Sequence, residues 1–129
     1  MRRYTFGPQA AWTKGATGVG NCVHHPMTEA MATERIKLVR ASFKVSECTG
    51  DTTSNAYYEI SNDGITWTGQ TAIGSTGTDN DEEDANDFVD IYAAIKTKRF
   101  VRFGVLLYNT AGSNRELCNL QMRVEFRNN

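Results

Sequence analysis

An all-β fold, an antiparallel β-sandwich or jelly roll with an extended N-terminal arm, is what the 129-residue sequence predicts. Two observations lead there. From about Arg35 onward apolar residues recur at every second position, the pattern of strands with one buried face. The runs are short and separated by turn residues, without the strand-then-helix alternation of an α/β chain.

The elements follow in chain order. In residues 1–33, Gly7-Pro8, Gly15, Gly18, Gly20 and Pro26 interrupt small and polar residues. This stretch reads as an extended arm or irregular segment, with a first strand at Arg2 to Phe6, ahead of a β-sandwich domain at 34–129. "MTEAMATE" fits one helical turn, too short to stand alone. Val39, Ala41, Phe43 and Val45 then share a face, opposite Arg40, Ser42, Lys44 and Ser46. Ile36 and Leu38 fall in the other phase, which predicts a bulge or bend near Leu38-Val39.

Tyr58 and Ile60 alternate with Tyr57, Glu59 and Ser61 up to Asn62-Asp63-Gly64, a strong hairpin signal because glycine tolerates the positive φ of the turn. The returning strand is expected to carry Ile65 and Trp67 on one face. A Gly-, Ser-, Thr- and acid-rich loop follows at 68–87. "FVDIYAAI" suits a strand (Val89, Ile91, Ala93) or a helical face (Phe88, Ile91, Tyr92, Ile95), and the strand is preferred. Val101, Phe103, Val105 and Leu107, and then Leu120, Met122, Val124 and Phe126, give the cleanest alternations and predict two central strands.

Bulk composition, 40% hydrophobic and 22% charged, is that of an ordinary globular domain, and no apolar run approaches the ~20 residues needed to cross a bilayer. No membrane partner is expected. "MRRYTFGPQAAW" lacks the apolar core and cleavage site of a signal peptide, which predicts a chain kept in the cytoplasm. Cys22, Cys48 and Cys118, odd in number and without a CxxC pair, read as free thiols in a reducing compartment. The net charge of −1 conceals segregation: Asp79 to Asp90 holds seven carboxylates and no base, while the rest holds 14 Lys plus Arg against eight acids.

Several stretches invite a chemical reading. "GATGVG", Gly15 to Gly20, lacks the Gly-Lys-Ser/Thr ending and the strand–helix frame of a phosphate loop. Cys22, His24 and His25 have the soft ligands of a zinc site but not its paired spacing. Asp79, Asp81, Glu83, Asp87 and Asp90 follow the rhythm of a calcium loop, yet Asp84 stands where the sharp turn needs glycine. A solvated acidic loop is the plain reading, with calcium or a basic partner as the others. "KTKRFVRF" mixes cations with aromatics, but alternation turns Phe103 to the core, and nucleic acid is not an expected partner. No catalytic set and no cofactor site emerges, so the chain reads as a non-enzyme.

The hairpin "YEISNDGITW", with "RFVRF" and the closing strand, resembles discoidin-like, galactose-binding-type jelly rolls. Similar Ser-Asn-Asp-Gly-x-x-Trp hairpins occur in small β-sandwich proteins of tailed bacteriophage particles. The first resemblance implies a carbohydrate-binding or adhesion module, with Tyr57 or Trp67 stacking on a sugar. The second implies a structural virion component, such as a head decoration, connector or tail protein, assembled in the host cytoplasm with copies of itself or other virion proteins. The missing export signal, unpaired cysteines, arm and charge segregation favour the second. In that reading Trp67 is a pin in a small core.

Overall fold

The computed structural model describes residues 2–12, 21–46, 52–78, 82–85, 88–109 and 117–127. Along the chain these form β1 (Arg2–Trp12), β2 (Asn21–Pro26), β3 (Met31–Ala32), a 3-10 turn (Thr33–Arg35), β4 (Leu38–Ser46), β5 (Thr52–Ser61) and β6 (Thr68–Thr78). Then come β7 (Glu82–Ala85), β8 (Val89–Asp90), α1 (Tyr92–Ile95), β9 (Phe100–Asn109) and β10 (Leu117–Arg127). All pairings among the described residues are antiparallel.

One sheet runs β1-β10-β4-β7, with β8 also on β4; the other runs β2-β9-β5-β6, with β3 on β9. Setting aside the two-residue strands, the pairs nest: β1 with β10, β2 with β9, β4 with β7, β5 with β6. A single ribbon, closed at the β5–β6 hairpin, is thus wrapped into two facing sheets, which is a jelly roll.

The strongest alternations became inner strands because each had one face to bury. Val39, Ala41 and Phe43 of β4 and Leu120, Met122, Val124 and Phe126 of β10 face Val101, Phe103, Val105 and Leu107 of β9 across one core. Ala56 and Tyr58 of β5 and Ile73 of β6 complete it. Burying each large side chain of this set contributes roughly 1.5–3 kcal/mol.

Other expectations are corrected. No bulge interrupts β4, whose register with β10 is unbroken from Leu38 to Ser46; Ile36 changes phase because it precedes the strand, closing the 3-10 turn onto the core. "FVDIYAAI" is not one strand. After two strand residues Ile91 and Ile95, one helical turn apart, point α1 into the core, while Val89 and Ala93 stay exposed. The loop expected at 68–87 holds β6 and β7, which lie at sheet edges where little apolar alternation is needed. "MTEAMATE" holds β3 and the start of the expected helical turn, which is of the 3-10 kind. Within the stretch read as an arm, β1 passes Gly7-Pro8 with a register shift between Phe6 and Gln9, tolerable because β1 is an edge strand.

Candidate functional site

At one end of the sandwich, β5 turns into β6 through a loop built by two side chains. The Asp63 carboxylate accepts hydrogen bonds from the backbone N–H of Ile65 and Thr66, both 2.8 Å, and from the Ser61 hydroxyl at 2.9 Å. Ser61 Oγ in turn accepts from the N–H of Asp63 and Gly64. Gly64 has φ +75°, where any side chain would be strained. These bonds hold the Asp63 carboxyl down at about 2, the Thr66 and Ile65 amides contributing most. They also extend the turn as far as Trp67, so the expected returning strand begins only at Thr68. Ile65, expected on the core face, is 82% exposed at the loop tip.

The outer face of the β2-β9-β5-β6 sheet is unexpectedly covered. Glu59 is only 2% exposed, its carboxylate taking Arg102 Nε at 2.6 Å from the facing strand position and Gln70 Nε2 at 3.1 Å. Trp67 lies against the Arg102 guanidinium, 4.3 Å from ring centroid to Cζ. Two residues up β5, Tyr57 stands opposite Gly104 and is 1% exposed. A Cβ on Gly104 would lie 2.4 Å from the His25 carbonyl oxygen and 2.8 Å from Cε1 and the hydroxyl of Tyr57, so the ring fills the space glycine leaves. Among the described residues the Tyr57 hydroxyl has no hydrogen-bond partner, and its burial, reinforced by the Glu59 charge, holds its ionisation above the usual phenol range. His24 meets the Tyr57 ring edge-on at 4.8 Å.

The other sheet repeats the device. Glu125, 1% exposed, receives Arg40 Nη2 at 3.0 and 3.1 Å from its cross-strand neighbour on β4, with Arg123 Nε at 3.7 Å. Phe88 lies between Arg40 and Arg127, whose Cζ atoms are 4.8 and 4.0 Å from its centroid. On each sheet a buried glutamate is neutralised by an in-register arginine that an aromatic from a neighbouring segment covers. Such pairs hold the strand register and match the charge of each buried glutamate.

A cleft of about 340 Å³ opens beside the loop end, lined by Ala32, Thr33, Glu34, Lys96, Lys98, Arg99 and Phe100. Its walls are tied together: Thr33 donates its hydroxyl to the Lys98 carbonyl at 2.6 Å, and its N–H to the Arg99 carbonyl at 3.1 Å. Lys98 also lines a notch of about 190 Å³ with Ser61, Asn62, Asp63, Thr66 and Thr68. Lys96 lies against Tyr92 and Arg99 against Phe100. Among the described residues, none of the three cations is ion-paired.

Of the residues singled out in the sequence, His24 and Tyr57 are in contact. Tyr57 is buried and presents no face to a sugar, and Trp67 is half-buried against Arg102 rather than in the core. Of the calcium candidates, Asp79, Asp81 and Asp87 lie outside the described residues. Glu83 belongs to β7, and Asp90 accepts the Tyr92 N–H at 3.0 Å. Gly15 to Gly20 and Cys48 also lie outside. Cys22 and Cys118 belong to strands of different sheets, and His24 and His25 alternate along β2. Glu59, Glu125 and the cleft escaped sequence reasoning; a glutamate at a strand position facing an arginine was the available signal, readable only once the register is known.

No protein-family model and no curated protein matches the chain. Solved structures do. Over 98% of the chain the fold is similar to the VP2 subviral particle of infectious bursal disease virus, with a TM-score of 0.60, 11% identity and 33% of that chain covered. Similar values hold for the T=1 particles derived from infectious bursal virus (TM-score 0.58, 10% identity, 98% and 32% coverage). They hold also for the Gx strain of infectious bursal disease virus (0.57, 10%, 98% and 32%). The chain spans about a third of the length of the structures it matches. At these identities the likeness establishes the fold, an antiparallel jelly-roll sandwich of the type found in those viral particles.

Proposed function

We propose that the chain is a non-enzymatic structural component of a virus-like particle, acting through contacts with copies of itself or with other virion proteins. The observation that carries this reading is the match over 98% of the chain to a viral protein in particle form. The buried Glu59–Arg102 and Glu125–Arg40 pairs suit the role, since a glutamate already paired can be covered by a neighbour without being stranded. The Ser61-to-Trp67 hairpin supports the narrower assignment to a tailed-phage particle, as a head decoration, connector or tail protein, located in the virion.

Sugar binding is the weaker reading. Tyr57 is inaccessible and Arg102 occupies one side of Trp67, which reduces the suggested platform to the other face of one indole. Sedimentation velocity of the purified protein from 10 to 500 μM, followed by electron microscopy of the fastest species, tests the assembly reading. Discrete oligomers or particles are expected; a strict monomer at every concentration counts against self-assembly. A glycan-array signal abolished by Trp67→Ala would favour the sugar-binding reading instead.

A further inference from the structure

We propose that the cleft between the 3-10 turn and the α1–β9 corner receives carboxylates, and that its occupant is the acidic segment 79–90 of a second copy. This inference rests on the assembly reading and names one of its contacts. Lys96, Lys98 and Arg99 converge on one cavity, none of them ion-paired among the described residues, and Glu34 is the single acid in the lining. The backbone carrying them is held by the Thr33 bonds and by Lys98 N–H to Ile95 O at 3.0 Å, so the cations project from a rigid frame.

The occupant follows from the chain itself. Residues 79–90 carry seven carboxylates and no base. Their own copy cannot deliver the central ones. Glu82 to Ala85 are hydrogen-bonded along Ser42 to Val45, at the edge of one sheet, whereas Ala32 and Phe100 of the cleft belong to the other. Ser42 to Val45 also lie four to seven positions along β4 from Leu38, roughly 13–23 Å at the rise of a strand. Socket and plug are different surfaces, so the contact is heterologous and propagates head to tail, closing into a ring or shell if the rotation allows. Complementary charge would set register and speed encounter, both weakened by salt.

The test uses the full chain and two charge reversals, Lys96→Glu/Lys98→Glu/Arg99→Glu and Glu82→Lys/Glu83→Lys/Asp84→Lys, each checked for wild-type circular dichroism and melting. A fluorescent peptide of residues 79–90 is titrated by anisotropy, and oligomers are followed by sedimentation at 50 and 500 mM NaCl. Expected are peptide binding to wild type, at least tenfold weaker binding to the socket variant, loss of oligomers in each variant alone, and recovery when the two are mixed. Peptide binding that is absent, or equal in wild type and socket variant, overturns the inference, as does tighter binding of an oligothymidine than of the peptide. Wild-type assembly that both reversals leave intact overturns this contact while the assembly reading stands. The peptide titration decides the contact even if wild type does not assemble.

Discussion

Gly104→Ala removes the one gap that lets three strands meet, and its cost can be worked from the geometry. The new methyl carbon would sit 2.4 Å from the His25 carbonyl oxygen and 2.8 Å from two atoms of Tyr57, against ordinary contacts of about 3.5–4.0 Å. The obstruction on one side is backbone, so β2 must retreat by about 1 Å along its pairing with β9. A weakened ladder bond costs about 1 kcal/mol, and turning Tyr57 off its rotamer about another 0.5–1.5 kcal/mol. Against this, alanine in a strand regains about 0.5–1 kcal/mol of backbone entropy. The net expectation is a loss of about 0.5–2 kcal/mol, toward the lower part of the range for overpacking. For a chain of this size that lowers Tm by roughly 2–7 °C. Thermal and urea melts give the value. Tyr57→Phe at the same place is expected to be neutral or stabilising by about 1 kcal/mol, because its hydroxyl is buried without a partner. A Gly104→Ala protein at least as stable as wild type, or a Tyr57→Phe loss of 2 kcal/mol or more (roughly, by the cost of a lost partner), would refute the packing described.

Three further outcomes are expected. Glu125→Ala should cost about 2 kcal/mol, less than a fully buried pair because Arg40 can rehydrate, and an Arg40/Glu125 double-mutant cycle should show coupling of about 1 kcal/mol or more; additive losses would contradict it. The Asp63 carboxyl should titrate at about 2. Being depressed, it supports the loop above the ordinary aspartate range and ceases to as pH falls through about 2. Carboxyl NMR shifts and exchange of the Ile65 and Thr66 amides report this, and an ordinary midpoint near the free-residue value, about 3.9, would count against the loop geometry. Arg102→Ala in a Trp12→Phe background should red-shift Trp67 emission as its covered face meets water; unchanged emission would mean that the stacking does not persist in solution.

The fold was legible where burial was one-sided. β9 and β10 turn Phe103 and Val124 into the core and Arg102 and Arg123 away from it, so period two alone located both central strands. β5 was harder, because Tyr57, Glu59 and Ser61 are buried as well as Ala56 and Tyr58. Its outer face is covered by Arg102, Gly104 and Gln70, partners that adjacency in sequence does not reveal. Ile65 and Trp67 misled because two apolar residues at period two imitate a strand, whereas Asp63 was already bonding the two amides that follow Gly64. Val89, Ile91 and Ala93 imitated a strand in the same way, and the i, i+4 spacing of Ile91 and Ile95 was the better guide. The cleft was invisible in sequence, since Thr33 and Lys98 meet only when β3 and β9 pair.

Native mass spectrometry of the purified chain, across salt and concentration, tests most directly whether it is an assembling particle subunit. Discrete homo-oligomers that dissociate as salt rises, and that appear as rings or shells by electron microscopy, are expected. A monomer at every concentration and ionic strength would contradict self-assembly.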